Sequence, residues 1–183
     1  LHTFLQYYKY CHLFLLDAGY TTHLVEKGDS IYSIAKMYGA AEQAVLQANP
    51  NVESNNLNIG TLLIVPFDFE LVPDNVLYTS FLVEWIVDGL QARYPYLKTG
   101  SLGRSVMGSK ILYLNLGNGD TEVCYNASFH ANESITTPVL LKFAEQLMQN
   151  YENEEEIQNV NVQHLFEEFN LYLIPMVNPD GVD

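Results

Sequence analysis

The run LYLIPMV, residues 171–177, constrains the fold more than any other stretch of the chain. It carries almost no polar residue, so it cannot alternate between a wet and a dry face. An apolar strand of this kind belongs in the middle of a sheet covered on both faces. The segments before it change period as such an architecture requires. Residues 78–94 predict a helix with Phe81, Trp85, Val87 and Leu90 on its apolar side. Strands are expected over 97–105, 110–116 and 121–129, separated by Gly108-Ser109 and by Gly117-Asn118-Gly119. Thr137 and Pro138 open another helix, proline being favoured in a first turn. Its expected buried face is Val139, Leu140, Phe143, Ala144, Leu147 and Met148. A further helix is expected over 157–169, and Asn178-Pro179-Asp180-Gly181 has the residue types of a tight turn. Strands and helices alternating around a central apolar strand predict an α/β fold with a mixed central sheet.

A smaller module precedes it. Residues 21–27 form a short strand candidate, after which Gly28 turns the chain and Asp29 is placed to cap a helix. Ile31, Ile34, Ala35 and Tyr38 make one helical face, and Gly39 stops it. A second helix over 41–48 ends before Asn49-Pro50, and residues 61–66 form a closing strand with Pro66 as terminator. The expected organisation is an N-terminal segment of unclear structure (1–20), a βααβ module (21–66), a linker (67–77) and the α/β domain (78–183).

Charge and composition exclude some partners. With 22 acids against 8 bases the net charge is -14, which argues against nucleic acid, since that ligand must be held by phosphate neutralisation. Much of the run 152–156 is acidic and is expected on a solvated edge. Two cysteines, Cys11 and Cys124, are too few for a disulfide framework, and Cys124 is expected to be a buried free thiol. The first twenty residues are apolar but are interrupted by Lys9, His12 and Asp17, so no membrane span and no clear signal peptide is present. The start at Leu1 reads as a truncated or misread boundary.

Chemistry concentrates in FHANESITTPVLLKF, residues 129–143, where His130 and Glu133 stand three positions apart between an expected strand and an expected helix. A lone His-x-x-Glu is a weak signal, and two solvated polar residues at a loop are its plain reading. The position favours a site, because open α/β sheets bind ligands beyond the C-terminal ends of their strands. The residue types favour a metal, because imidazole nitrogen and carboxylate oxygen are standard zinc donors.

Two resemblances sharpen these alternatives. The pieces VEKGDSIYSIAKMYG, LQANPNV and LNIGTLLIVP occur in the order of the LysM domain, which residues 21–66 resemble throughout. That resemblance implies binding of N-acetylglucosamine-containing glycans, either peptidoglycan or chitin oligomers. It implies a groove formed by Gly28, Asp29, Ser30 and Ile31 on one side and Asn55, Asn56, Leu57 and Ile59 on the other. Short polar groups there can bond acetamido and hydroxyl groups while Leu and Ile cover the sugar's apolar face. Turn, cap and core roles account for Gly28, Asp29, Leu57 and Ile59 equally well.

The pieces FHANE, ITTPVLLKF and IPMVNPDGVD resemble, in order, the zinc carboxypeptidase family over residues 78–183. The resemblance implies that His130 and Glu133 are two of three protein ligands of a catalytic zinc. Joined to a LysM module, the chain resembles bacterial γ-D-glutamyl-diamino acid peptidases. These cut the stem peptides of peptidoglycan, at the cell wall, outside the cell or on the spore. Ser134 departs from the family, which commonly has Trp there. In the family the third zinc ligand, the substrate-binding arginines and the general-base glutamate follow the NPDG turn, so no residue here is carried over as catalytic. Arg93 and Arg104 are expected on the surface, and His164, His2, His12 and His23 are not expected to be ligands. The expectation is the first part of a LysM-zinc carboxypeptidase-like wall hydrolase, cut short or from a disrupted frame and inactive as written. The alternative is a non-catalytic peptidoglycan- or chitin-binding protein with a degenerate peptidase domain.

Overall fold

The computed structural model describes residues 19–54, 56–74 and 76–183. The chain divides into two units, residues 1–69 and 70–183. Among the described residues no helix is long and apolar enough to cross a membrane.

The smaller unit is the expected strand, helix, helix, strand. Strand β1 (Tyr20–Leu24) pairs antiparallel with β2 (Leu62–Pro66), and between them lie α1 (Ile31–Tyr38) and α2 (Glu42–Ala48). Val25, Ile31, Ile34, Ala35, Val45, Leu63 and Val65 form its core. Asp29 does not cap α1. Ser30 does, accepting from the Ser33 amide at 3.1 Å while Ser33 Oγ accepts from the Ser30 amide at 2.9 Å. This reciprocal pair satisfies two free donors at once, which a single Asp cannot. Asn49, expected only as a turn residue, joins α2 to β2: its Nδ2 donates to the carbonyls of Val45 and Ile64, and its Oδ1 accepts from the Ile64 amide.

The larger unit contains α3 (Ser80–Arg93), β3 (Lys98–Arg104), β4 (Lys110–Gly117), β5 (Thr121–Asn126), α4 (Thr136–Glu152), the short strands β6 (Glu156–Ile157) and β7 (Val160–Asn161), α5 (Val162–Glu168), β8 (Phe169–Ile174) and α6 (Pro179–Val182). The sheet order is β3-β4-β8-β5, with β8 antiparallel to β4 and parallel to β5, so the fold is α/β with a mixed sheet. The apolar run lies in β8, between two neighbours, with Leu171 and Leu173 buried. Tyr172 on the other face is half-buried against Tyr113.

Several expectations change. Because β8 inserts between β4 and β5, β5 is an edge strand among the described residues, and Cys124, Tyr125 and Phe129 are exposed. Helix α3 buries Val83, Ile86, Val87 and Leu90, leaving Phe81 exposed and Trp85 half-buried. Helix α4 buries Thr137, Leu141, Ala144, Glu145, Leu147 and Met148, leaving Val139 exposed. The segment expected to be helical from 157 begins instead as the hairpin β6-β7, with Gln158 and Asn159 both at positive φ. Residues 178–181 are not a simple tight turn: Asn178 caps the one-turn helix α6, its Oδ1 accepting from the Gly181 amide at 3.1 Å. Leu71 and Val72, inside the stretch expected as a linker, are buried in the main core. Their amides donate to the carboxylate of buried Glu145 at 2.7 and 3.4 Å. Arg93 is not a surface residue either, since its mostly buried guanidinium lies 3.9 Å from Glu145.

Candidate functional site

Strands β5 and β8 run parallel, and their last paired residues are Asn126 and Ile174. Their following loops stay joined: the Ala127 amide donates to Ile174 at 2.9 Å, Val177 to Ala127 at 3.0 Å and Asn178 to Ser128 at 3.0 Å. The parallel ladder thus delivers both loops to one end of the sheet. Ser128 then bends the chain at φ 45°. Phe129 and His130 follow, and a 3-10 turn, Ala131–Glu133, brings the chain to α4.

That turn brings His130 and Glu133 together. His130 Nδ1 lies 3.1 Å from Glu133 Oε2, the Glu133 amide donates to the His130 carbonyl at 3.1 Å, and the Phe129 ring meets the imidazole edge-on. The side chains are 67% and 50% exposed, so a ligand can reach both. Two donors each about 2.1 Å from a tetrahedral ion stand roughly 3.4 Å apart. The pair's spacing is within a few tenths of an ångström of that, and its one nitrogen and one oxygen suit zinc, which on binding would replace the hydrogen bond in which Nδ1 donates to the Glu133 carboxylate. Among the described residues no third His, Cys, Asp or Glu joins them. His164 is exposed on α5 beside Glu167 and Glu168, at 3.6 and 3.1 Å.

The neighbouring loops support the turn. A Cβ on Gly181 would stand 2.9 Å from Ala131 Cβ and 2.6 Å from Asn178 Nδ2, so only glycine lets the NPDG segment pack against the 131–133 turn. Asp180 accepts from Ser105 Oγ at 2.5 Å and from the Met107 amide at 2.9 Å, which ties the β3-β4 hairpin tip to the same end of the sheet. Sequence reasoning missed these roles of Asp180 and Gly181; their only signal was a turn-type tetrapeptide.

In the smaller unit the two expected binding loops are adjacent, since the Val25 amide donates to Thr61 and the Gly60 amide to Val25. Gly28 is exposed at φ 100°. Asp29 Oδ2 accepts from the Glu26 amide at 2.8 Å and lies 2.9 Å from His23 Nε2, while His23 Nδ1 lies 3.1 Å from the Tyr38 hydroxyl. The His23 hydrogen bond, followed by the Glu26 amide, holds the Asp29 carboxyl below the usual carboxylate range. Ser30 and Asn56 are exposed, Leu57 is half-buried against the core and Ile59 is exposed. The Ile31 side chain is buried in the core, which leaves only its backbone for a ligand. Asn55 lies outside the described residues. A cavity of about 260 Å³ is lined by Asn51, Val52, Glu53, Asn56, Asn58 and Thr61. Of these only Asn56 was expected; the others could have been found from the density of short polar residues in NPNVESNNLNIGT.

Comparison with known proteins accords with this geometry. The family model described as zinc carboxypeptidase matches residues 83–183, more than half of the chain, and that of the LysM domain matches residues 23–66. Gamma-D-glutamyl-L-diamino acid endopeptidase 1 of Lysinibacillus sphaericus is 40% identical over 94 residues, covering 51% of this chain and 24% of its own. Uncharacterized protein YqgT of Bacillus subtilis is 37% identical over 109 residues, covering 58% of this chain and 29% of its own. The chain thus spans less than a third of the length of these relatives. Among solved structures, thrombin activatable fibrinolysis inhibitor matches with a TM-score of 0.54 at 12% identity, covering 90% of this chain and 51% of its own, a likeness of fold alone.

Proposed function

The chain belongs to the zinc carboxypeptidase family and carries a LysM domain ahead of that region, and from this premise we propose that it is a peptidoglycan-directed zinc peptidase. The LysM unit holds the glycan strand, and the larger unit acts on the stem peptide at γ-D-glutamyl-L-diamino acid bonds, the chemistry in the name of its 40% identical relative. The observation that carries this reading is the 3.1 Å approach of His130 to Glu133 beyond the ends of paired β5 and β8.

His130 and Glu133 would hold the ion. Bound zinc supplies polarisation of a peptide carbonyl and a water of lowered pKa. What this chain contributes is proximity: the 3-10 turn sets the two side chains side by side, with the Phe129 ring edge-on to the imidazole. Catalytic zinc sites take three protein donors, so hydrolysis needs one more than this pair provides.

Glycan capture needs no basic surface, which accords with a net charge of -14. Exposed Gly28, Ser30, Asn56 and Ile59, with Asp29, Leu57 and the Ile31 backbone beside them, form the proposed sugar contact, to which the LysM resemblance adds Asn55, and tethering raises the local concentration of stem peptide. The site of action is the cell wall or its surroundings.

The test incubates the full-length protein with purified sacculi and with chitin beads, with and without zinc, and analyses the soluble peptides by mass spectrometry. Retention on sacculi and zinc-dependent release of fragments cut after γ-D-glutamate are expected. Retention without release would assign a binding-only role. Retention on chitin alone would overturn the peptidoglycan assignment, and retention on neither would overturn glycan binding.

A further inference from the structure

We propose that Ser128, Thr136 and Thr137 form a hydroxyl relay, buried at Ser128 and Thr137 and half-buried at Thr136, that positions His130 and Glu133 for a divalent metal, an inference that rests on the zinc assignment above. Ser128 is the first indication. It is 1% exposed and sits at φ 45°, a conformation that L-residues avoid and that glycine adopts freely. Strain of this kind persists only where surrounding contacts enforce it, and it concentrates at functional sites. Here the enforcing contacts are side-chain hydroxyls.

Each hydroxyl has one proton to give, which fixes the direction of the relay. Thr137 Oγ1, fully buried, lies 2.5 Å from the Pro175 carbonyl and 2.7 Å from Ser128 Oγ. A carbonyl can only accept, so the Thr137 proton goes to Pro175. The Ser128 proton then goes to Thr137 Oγ1 and not to the Glu133 carbonyl, 3.4 Å away. Thr136 Oγ1 donates to the Glu133 carbonyl at 2.7 Å and accepts from the Ser128 amide at 2.8 Å. The first turn of α4 therefore grips the site loop at Ser128 and again at Glu133, and anchors it to the end of β8 through Pro175. His130 and Glu133 hang between the two gripped points. None of the three hydroxyls bonds the side chain of His130 or Glu133; they act through the backbone and are positioning residues.

The 183-residue chain is titrated with zinc, following the amides of residues 128–137 and the His130 ring by NMR, with thermal melting measured in parallel. Thr136→Val and Thr137→Val, which keep the β-branched shape and lose the hydroxyl, are expected to weaken zinc binding by about tenfold or more, as outer-shell changes do. Thr137→Ser keeps the hydroxyl and is expected to restore binding to within about twofold to threefold of the parent on the same scale. Ser128→Gly and Ser128→Ala separate positioning from stability. Glycine relieves the strain and should melt higher than alanine, yet both should lose zinc affinity alike. Zinc affinity unchanged in Thr136→Val and Thr137→Val overturns the relay. So do affinities that simply follow the melting temperatures across the set, with Thr137→Ser failing to rescue. A parent chain whose His130 and Glu133 signals ignore zinc overturns the metal assignment itself, and the relay with it.

Discussion

Replacing Glu145 with alanine tests how the first residues of the larger unit are held. The carboxylate is 3% exposed and accepts from the Leu71 amide at 2.7 Å and, weakly, from the Val72 amide at 3.4 Å. Alanine leaves both buried donors without an acceptor. A charge-assisted bond is worth about 1.5–3 kcal/mol, and an orphaned buried amide costs about 1–3 kcal/mol. The Arg93 guanidinium, at 3.9 Å, adds less because it lies beyond hydrogen-bond reach. Since the bond and the orphaned donor describe the same loss, the total is about 3 kcal/mol. Unfolding entropy near 2.1 cal/mol/K per residue, over the residues from 70 to 183, converts this to a fall of about 12 °C in melting temperature. Glu145→Gln keeps one carbonyl oxygen for the Leu71 amide and should fall by only about 4 °C, or roughly 1 kcal/mol. The only tryptophan, Trp85 in α3, reports on this unit, so fluorescence-detected melting reads it directly. Equal losses in the two variants, or an alanine variant within about 3 °C of the parent, would refute the staple, because orphaned amides must cost more than a lost charge.

Further outcomes are expected. Leu173→Ala, in a fully buried position of the central strand, should cost about 2–5 kcal/mol by chemical denaturation, whereas Val139→Ala on the exposed side of α4 should stay within about 0.5 kcal/mol. Gly181→Ala should push the 131–133 turn away, seen as amide shift changes at those residues and weaker zinc binding than in the parent. The Asp29 carboxyl is held low by His23, so its contribution is complete above the unfolded value near 3.9 and is lost as pH falls through the lower folded value. The Glu26 amide, followed by NMR, should accordingly stay bonded at pH 5 and be released only in stronger acid, and Asp29→Asn should remove that acid transition.

The elements written in local chemistry were legible in the sequence. The smaller unit announced itself through Gly28, the Ile31, Ile34, Ala35 face and Gly39, because caps and a 3.6 period are local. The unbroken apolar run marked β8 because a central strand has no wet side. The His130 and Glu133 spacing was visible for the same reason: one 3-10 turn separates them. What was not legible depended on partners distant in sequence. That β8 enters between β4 and β5, leaving Cys124 exposed on an edge, is a topological fact with no local signature. Helix α4 carries apolar residues on most of its circumference, so its period did not fix which side faces the core, and nothing local to Glu145 shows that the Leu71 and Val72 amides are its partners. Thr137 read as an ordinary helix-start residue, and nothing local to it or to Thr136 shows that Pro175 and Ser128 lie within reach.

The proposed chemistry requires His130 and Glu133 to grip one divalent ion. Crystals of the protein grown with zinc, measured on both sides of the zinc absorption edge, address it without reference to activity. An anomalous peak is expected about 2.0–2.2 Å from an imidazole nitrogen of His130 and a carboxylate oxygen of Glu133, and absent in His130→Ala. Zinc bound elsewhere, or a peak that survives that substitution, would contradict it.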